Sequence, residues 1–157
     1  MARNIIDLPT LGDDGKLYRD TAVDMVESLI PNPWESCHAP DLLELENGDL
    51  LCCWFAGSRE GNADISIAVA RLPADAEQWE QPVIVSDDPT RSEQNPSLFQ
   101  NPNGDIWLMY TAQAAKKPDD NSDDSLQGTA EIRRKISRDG GRTWGPTAVS
   151  YTHLTLP

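Results

Sequence analysis

Short runs of apolar or alternating residues, separated by turn-forming residues, make up the chain from residue 41 onward. Runs of four to eight residues bounded by Gly, Pro, Asn and Asp are typical of β-strands. Eight strands are predicted, namely DLLEL, DLLCCWFAG, ADISIAVARL and PVIVS, then PSLFQ, DIWLMYTAQ, TAEIRRKIS and GPTAV. The pattern therefore indicates an all-β fold.

The eight predicted strands form two copies of one four-strand unit. NGDLLCCWFAG at 47–57 corresponds to NGDIWLMYTAQ at 103–113, and WEQPV at 79–83 corresponds to WGPTA at 144–148. Four-strand repeats of this length are typical of β-propeller blades, which bury both faces only against neighbouring blades. We therefore predict a truncated β-propeller with two blades over residues 36–148. Asn-Gly pairs at 47–48 and 103–104 form its hairpin turns.

Three segments lie outside this repeat. Residues 1–35 form an N-terminal segment in which AVDMVESLI is a candidate strand that completes the last blade of a closed propeller. KKPDDNSDDSLQG at 116–128 is either a solvated loop or a cover over a ligand. The ending VSYTHLTLP resembles the translation of a transposon adaptor used in sequencing libraries. We therefore predict that residues 149–157, His153 included, are a non-native tail on the front portion of a longer protein.

Composition narrows the range of partners. Thirteen basic residues against 26 acidic ones give a net charge of −13, which argues against nucleic acid as a partner. The sequence has no signal peptide and no apolar run long enough to span a bilayer, so we expect a cytoplasmic protein with no membrane partner. The three cysteines, at 37, 52 and 53, suggest neither a disulfide framework nor a zinc site. No metal or other cofactor is expected.

Blade topology predicts where the chemistry lies. In an antiparallel blade, the start of strand one and the loop between strands two and three share one end. The stretches SCHAP, SREGNAD and RSEQNP therefore bring together His38, Arg59, Glu60, Asp64, Arg91, Glu93, Gln94 and Asn95. Such a set suits a polyhydroxylated or acidic ligand at the mouth of a propeller. The alternative for each single residue is that it is polar only because it lies in a solvent-exposed loop, with no role in binding.

The stretch SRDGGRTW at 137–144 is predicted to lie at the opposite end, between strands three and four. Ser137 and Asp139 can accept hydrogen bonds from the backbone of the turn, and Gly140 and Gly141 permit positive φ. Trp144 can pack between the sheets. We therefore interpret this stretch as a structural fastener.

These residues complete a recognisable pattern. SRDGGRTW fits the Asp-box, S-x-D-x-G-x-T-W, and SCHAPDLLELENGDLLCCWFAGSREGNADISIAVARL with SEQNPSLFQNPNGDIWLMYTAQ resembles bacterial predicted neuraminidases. The region 36–148 is thus similar to the BNR-repeat family of sialidase-like propellers. The resemblance implies a six-bladed propeller, of which this chain holds about two blades.

The resemblance also implies roles for particular residues. Sialidases hold the substrate carboxylate with three arginines and use an aspartic acid as acid/base and a tyrosine, assisted by a glutamate, as nucleophile. Asp64 is the best match to the acid/base, and Arg59 matches a nearby arginine. The first arginine of the triad would fall on His38, where imidazole cannot reproduce a bidentate contact to a carboxylate. This departure favours a different sugar or an altered reaction, with His38 as acid/base or as a hydrogen-bond partner of a hydroxyl. A histidine buried at the entry of the strand is the alternative.

We therefore expect a sialidase-like, exo-acting glycoside hydrolase whose substrate is a terminal sugar of a glycan, an acidic sugar being one candidate. Asp64 would protonate the leaving oxygen, and Glu60 and Glu93 are weak candidates for the second group that a glycosidase needs. His38, Arg59, Arg91, Gln94 and Asn95 would orient the sugar. The alternative is a propeller that binds glycan without turnover. This chain by itself is expected to be inactive.

Overall fold

The computed structural model describes residues 12–20, 24–117 and 126–151. The described residues form ten β-strands: β1 Tyr18–Asp20, β2 Met25–Glu27, β3 Ser36–Glu44, β4 Leu50–Gly57, β5 Ser66–Leu72, β6 Val83–Ile84, β7 Arg91–Gln100, β8 Ile106–Ala114, β9 Glu131–Ser137 and β10 Ala148–Tyr151. A 3-10 turn spans Gln127–Thr129. No helix among these residues has the length and apolar character needed to cross a membrane.

The strands assemble into two four-stranded sheets and one hairpin. Sheet 1 has the order β3-β4-β5-β6 and sheet 2 the order β7-β8-β9-β10, with all neighbours antiparallel. Strands β1 and β2 pair only with each other among the described strands. Gly48 and Gly104 have φ of 84° and 88°, as a tight hairpin turn requires. The predicted four-strand repeat and its two Asn-Gly turns are confirmed.

The main core lies between the two sheets. On one face of β4, Leu51, Cys53 and Phe55 pack with residues of sheet 2 such as Leu108 and Tyr110. The other face of β4 carries a second cluster that includes Cys52, Trp54 and Ala56, against which Leu17, Ile30 and Trp34 pack. Strand alternation thus places the adjacent cysteines on opposite faces, as the sequence predicts. Both faces of sheet 1 are therefore apolar, as expected of an inner layer.

Two strands begin earlier than the hydrophobic pattern predicts. SCHAP and RSEQNP, expected to be loops that enter the first strand of each blade, already belong to β3 and β7. A β-bulge in each strand shifts the register, between His38 and Asp41 and between Gln94 and Ser97. The bulge accommodates a proline that cannot donate to the ladder, so the strand continues through the residue that usually ends it.

Several predictions fall partly outside the described residues. Strand β2 lies within AVDMVESLI, although residues 21–23 are not described. Residues 118–125 of the acidic loop and 152–157 of the tail, with His153, also lie outside, whereas 149–151 belong to β10. The boundaries at 35 and 148, the closing role of the N-terminal strand and the non-native tail remain predictions.

Candidate functional site

The residues predicted to carry the chemistry gather at one end of the two sheets, which we call the candidate end. Ser36 at the start of β3 pairs with Gly57 at the end of β4, and Arg91 at the start of β7 pairs with Ala114 at the end of β8. The β4–β5 loop of sheet 1 and the β8–β9 connection of sheet 2 therefore leave from the same end. They touch there, because the Lys116 amide donates a 2.8 Å hydrogen bond to the Gly61 carbonyl.

His38 is exposed at this end and lies on the side of sheet 1 that faces sheet 2. It pairs with Phe55 across β3 and β4, and the two rings meet edge to face with centroids 5.7 Å apart. The buried histidine considered as an alternative is therefore wrong. An open groove of about 330 Å³ is lined by Ile30, Asn32, Cys37, His38, Pro40, Cys52 and Trp54. Cys52 and Trp54 belong to the face of β4 turned away from sheet 2, so this groove opens on that face of sheet 1 and not between the sheets. The exposed His38 is itself accessible to a ligand.

Asp64 is exposed in the β4–β5 loop, where it also fixes the loop conformation. One carboxylate oxygen accepts a hydrogen bond from the Ser58 amide at 2.9 Å and the other accepts from the Ser58 hydroxyl at 2.9 Å. The Asn62 side-chain amide donates to the same hydroxyl at 3.1 Å. Arg59 and Glu60 are exposed in the same loop. Three of the predicted residues therefore share one closed turn, as the hairpin argument requires.

The residues predicted in sheet 2 are less accessible. The Arg91 guanidinium donates to the carbonyls of Ala112 and Thr129, at 2.8 and 3.2 Å, and forms a 3.0 Å ion pair with Glu131. Gln94 is buried, and its amide nitrogen donates to the Ser92 hydroxyl at 2.9 Å. Arg91 and Gln94 thus form hydrogen bonds inside the protein that stabilise the start of β7.

Asn95 is exposed next to Gln94 and has a φ of 51°. Its side-chain nitrogen lies 3.4 Å from the Thr111 hydroxyl, a long hydrogen bond. Of the three polar residues that the sequence places at the start of β7 for sugar binding, Asn95 is the exposed one. The binding roles of all three remain predictions.

A partly buried ionic network that sequence reasoning missed lies beneath the candidate end. Arg133 on β9 donates to Asp88 at 2.7 Å and to Glu93 at 3.4 Å, and contacts Glu131 at 3.0 and 3.1 Å. Glu93 is 1% exposed, and its amide donates to the Ile65 carbonyl of sheet 1 at 2.9 Å. The network therefore connects the two sheets where the predicted site residues begin.

Burial and hydrogen bonding shift the pKa values of this network in opposite directions. Burial raises the pKa of the Glu93 carboxyl despite the nearby Arg133, because a charged form loses hydration there. Hydrogen bonds from Thr90, with a further contribution from Arg133, lower the pKa of Asp88 to about 2. Burial also raises the pKa of Tyr110, next to this network, to about 12. The alternation of the two isoleucines in TAEIRRKIS assigns Arg133 to the polar face, so no signal in the sequence indicated its burial opposite Tyr110.

The turn at 137–144 lies at the opposite end and is held by its own hydrogen bonds. The Ser137 hydroxyl donates to Asp139 at 2.7 Å and accepts from the Gly141 amide at 2.7 Å. Asp139 also accepts from the amide of Thr143 at 2.9 Å and from its hydroxyl. These hydrogen bonds hold the pKa of the Asp139 carboxyl well below its usual range, and the bond from the Thr143 hydroxyl makes the largest contribution.

Packing then fastens this turn to the rest of the molecule. Gly140 and Gly141 have φ of 73° and 83°, and a Cβ on Gly141 would lie 2.6 Å from Leu51 of sheet 1. Trp144 packs against the core between the sheets. The Arg71 guanidinium of sheet 1 donates to the Gly140 carbonyl. The predicted fastener is confirmed in its geometry. Within the described part of the chain, no group of three His, Cys, Asp or Glu side chains is arranged to hold a metal ion.

Solved structures with this fold include several sialidases. A structure described as Hadza microbial sialidase Hz136 has a TM-score of 0.59 and 17% identity over 74% of this chain and 26% of its own. A second sialidase has a TM-score of 0.60 and 18% identity over 82% of this chain and 13% of its own. Trypanosoma rangeli sialidase in complex with sialic acid has a TM-score of 0.52 and 12% identity, over 90% of this chain and 24% of its own. At such identities the likeness shows the fold.

The chain spans about a quarter or less of the length of these sialidase chains. Its two stacked four-stranded sheets are therefore two blades of a sialidase-type β-propeller, as the strand repeat predicts. No match was found among curated proteins. Residues 48–155 match the BNR repeat-like domain, which covers more than half of the chain. The chain thus belongs to the BNR repeat-like domain family.

Proposed function

We propose that this chain is part of a sialidase-like glycoside hydrolase that removes a terminal sugar from a glycan. The observation that carries the proposal is the exposure of His38 and Asp64 at one end of two blades of this family's fold. Solved relatives of this fold include sialidases, which supports a glycan as the substrate. The location of the candidate end agrees with ligand sites at the mouth of propellers.

In the proposed reaction, the Asp64 carboxyl gives its proton to the glycosidic oxygen as the bond to the anomeric carbon breaks. One oxygen of Asp64 would exchange its hydrogen bond from Ser58 for the leaving oxygen. His38, standing where sialidases would have an arginine, offers a single imidazole nitrogen to a sugar hydroxyl. Arg59 and Asn95, also exposed at this end, would contact the same sugar.

A glycosidase also needs a second group to attack or stabilise the anomeric centre. Glu93 is unsuited to this task, because it is 1% exposed and ion-paired with Arg133. Glu60 is exposed in the loop that holds Asp64 and is the better candidate among the described residues. Tyr110 is buried and its pKa is raised to about 12, so it would make a poor nucleophile. A nucleophile from further blades fits these facts best.

The test uses the protein at its full genomic length and aryl glycosides with leaving groups of different acidity. Asp64→Asn should lower kcat/KM by about 10²–10⁴-fold for a leaving group that needs a proton, and far less for an acidic nitrophenol. Asp75→Asn is the matched control, because Asp75 is an exposed acid in the β5–β6 connection at the opposite end. Equal losses with both leaving groups, or none, would exclude Asp64 as the acid.

A second candidate function is glycan binding without turnover. It is favoured by the engagement of both Asp64 oxygens with Ser58 and by the burial of Glu93. These facts leave the described carboxylates without an obvious catalytic pair. Calorimetric titration with glycans separates the two functions. A binder gives a saturable heat with no released sugar, whereas the hydrolase releases a monosaccharide.

A further inference from the structure

The inner strands of the two sheets carry matched bulges. In β3 the bulge falls at His38-Ala39-Pro40, and in β7 it falls at Gln94-Asn95-Pro96, the equivalent place in the repeat. The middle residue is left-handed in both, with φ of 52° at Ala39 and 51° at Asn95. The two repeats therefore share one irregular geometry, which indicates a feature of the repeat unit rather than a local defect.

The left-handed conformation is costly at Ala39. Asparagine enters it readily because its side chain is short and polar, whereas alanine has a Cβ that crowds the neighbouring carbonyl. The following proline adds a restriction, since it disfavours the right-handed helical region for the residue before it. Such strained residues concentrate at functional sites, where the surrounding structure holds them in place. The strain at Ala39 therefore calls for a compensating role.

The bulge reverses the direction of the side chain that precedes it. Asp41 pairs with Cys53 and faces sheet 2, where its carboxylate accepts hydrogen bonds from Ser97 and Leu98 at 3.0 and 2.8 Å. In a regular strand, a residue three positions earlier would face the opposite side. The extra residue instead brings His38 opposite Phe55, on the same side as Asp41.

We propose that Ala39 is a positioning residue that turns the His38 imidazole to the seam between the two blades, where the candidate end would present it to the sugar. Ala39 acts only through His38 and does not itself contact the ligand, because its side chain packs against the core. That the ligand is a sugar rests on the proposed function. The direction of the imidazole does not, and it is measured separately.

The first measurement follows the His38 ring by NMR, in the protein at full genomic length with ¹³C-labelled histidine. A His38→Gln variant assigns the signal, and a Phe55→Leu variant shows the shift expected once the ring current of Phe55 is lost. Ala39→Val, which opposes positive φ, should reduce or abolish this ring-current shift. Ala39→Asn, which copies Asn95, should preserve it. Retention of the shift in a folded Ala39→Val protein, or its loss in Ala39→Asn, would overturn the proposal.

Deletion of Ala39 provides a second check, because it removes the extra residue, leaves His38 two positions before Asp41 and should keep the imidazole beside Phe55. Loss of the shift in the folded deletion variant would contradict the register argument. Ala39→Val keeps the strand length but opposes positive φ, because its Cβ is branched. It should broaden or move the His38 signal while the amide signals of β4 and β5 remain in place. An unchanged His38 signal in a folded Ala39→Val protein would count against positioning.

The second measurement uses the sugar. Misplacement of a site group by about 1 Å can cost about 10²-fold in rate, so Ala39→Val should lower kcat/KM by this factor, whereas Ala39→Asn should keep the wild-type value. A purely structural role would lower the melting temperature without moving the His38 signal, and that result would refute the proposal. If the wild-type protein acts on no glycan, the proposed function fails, while the NMR result still decides the role of Ala39.

Discussion

Arg71 forms a buried link between the two blades, and its removal gives the sharpest test of how they are joined. It lies on β5 of sheet 1, forms an ion pair with Asp49, and donates to the Gly140 carbonyl of the 137–144 turn in sheet 2. The side chains of Arg71 and Asp49 are only 5% and 8% exposed. Arg71→Met would preserve much of the packing while leaving the Asp49 carboxylate buried and without its cation.

The expected cost follows from these contacts. Breaking a buried ion pair by removing one partner typically costs about 3–5 kcal/mol. Asp49 would retain its hydrogen bond from the Ala74 amide at 3.0 Å, so we expect a loss near the lower limit, about 3 kcal/mol. At about 2–4 °C per kcal/mol for a chain of this size, the melting temperature should fall by about 6–12 °C. Urea unfolding followed by tryptophan fluorescence measures the change.

Arg138→Met provides the matched control. Arg138 approaches Asp105, the residue equivalent to Asp49 in the second repeat, but the atoms are 3.8 Å apart and the Arg138 side chain is 76% exposed. Exposed pairs contribute about 0–1 kcal/mol, so this variant should unfold almost as the wild type does. Replacing both members of the buried pair, Asp49→Leu with Arg71→Met, should recover much of the loss. Equal unfolding midpoints for Arg71→Met and Arg138→Met would refute the reasoning.

Three further predictions concern titratable groups. Cys37 is exposed, whereas Cys52 and Cys53 are buried, and burial raises the pKa of Cys52 to about 11 and that of Cys53 further. A thiol reagent should therefore label only Cys37 in the native protein, and rapid labelling of two thiols would contradict this. Hydrogen bonds, chiefly from Thr90, lower the pKa of Asp88 to about 2, so its contribution to stability is complete above the unfolded value near 3.8 and is lost as the pH falls towards 2. Asp88→Asn should remove that pH dependence from the urea midpoints, and an unchanged profile would count against it. Burial raises the pKa of Glu93 above 4.5, so wild-type stability should decline as the pH rises from 4.5 through the folded pKa. Glu93→Gln should lack this decline, and an identical decline in both proteins would assign it to another group.

Much of the fold was predictable because its strands and turns depend on local sequence patterns. Period-two alternation in DIWLMYTAQ and apolar runs such as DLLCCWFAG predict strands, and the Asn-Gly pairs predict the turns that join them. The predicted starts of β3 and β7 were wrong, because a proline cannot donate to the ladder and usually stands at the first residue of a strand or on an edge strand. The bulges at Ala39 and Asn95 allow pairing to continue, and their stability depends on neighbouring strands that no local pattern describes.

The candidate site was likewise predictable in part: its location follows from the sequence, but the accessibility of its residues does not. Antiparallel connectivity alone predicts that the SCHAP and SREGNAD stretches share one end, since each strand reverses the direction of the one before it. Accessibility was not predictable in this way. Arg91 is engaged by Glu131, forty residues later, and Glu93 is held by Arg133 across sheet 2. Partners so distant in sequence are identified only once the chain has folded.

The sequence by itself therefore determined the strands, their repetition, the family and the end of the sheets where chemistry is expected. These depend on alternation, turn residues and chain direction, which are all local properties. Only the tertiary structure decided that His38 is exposed and faces the second blade, and that Gln94 and Glu93 are buried. These depend on the stacking of one blade on the next, because burial and ion pairing are set by what lies opposite a side chain.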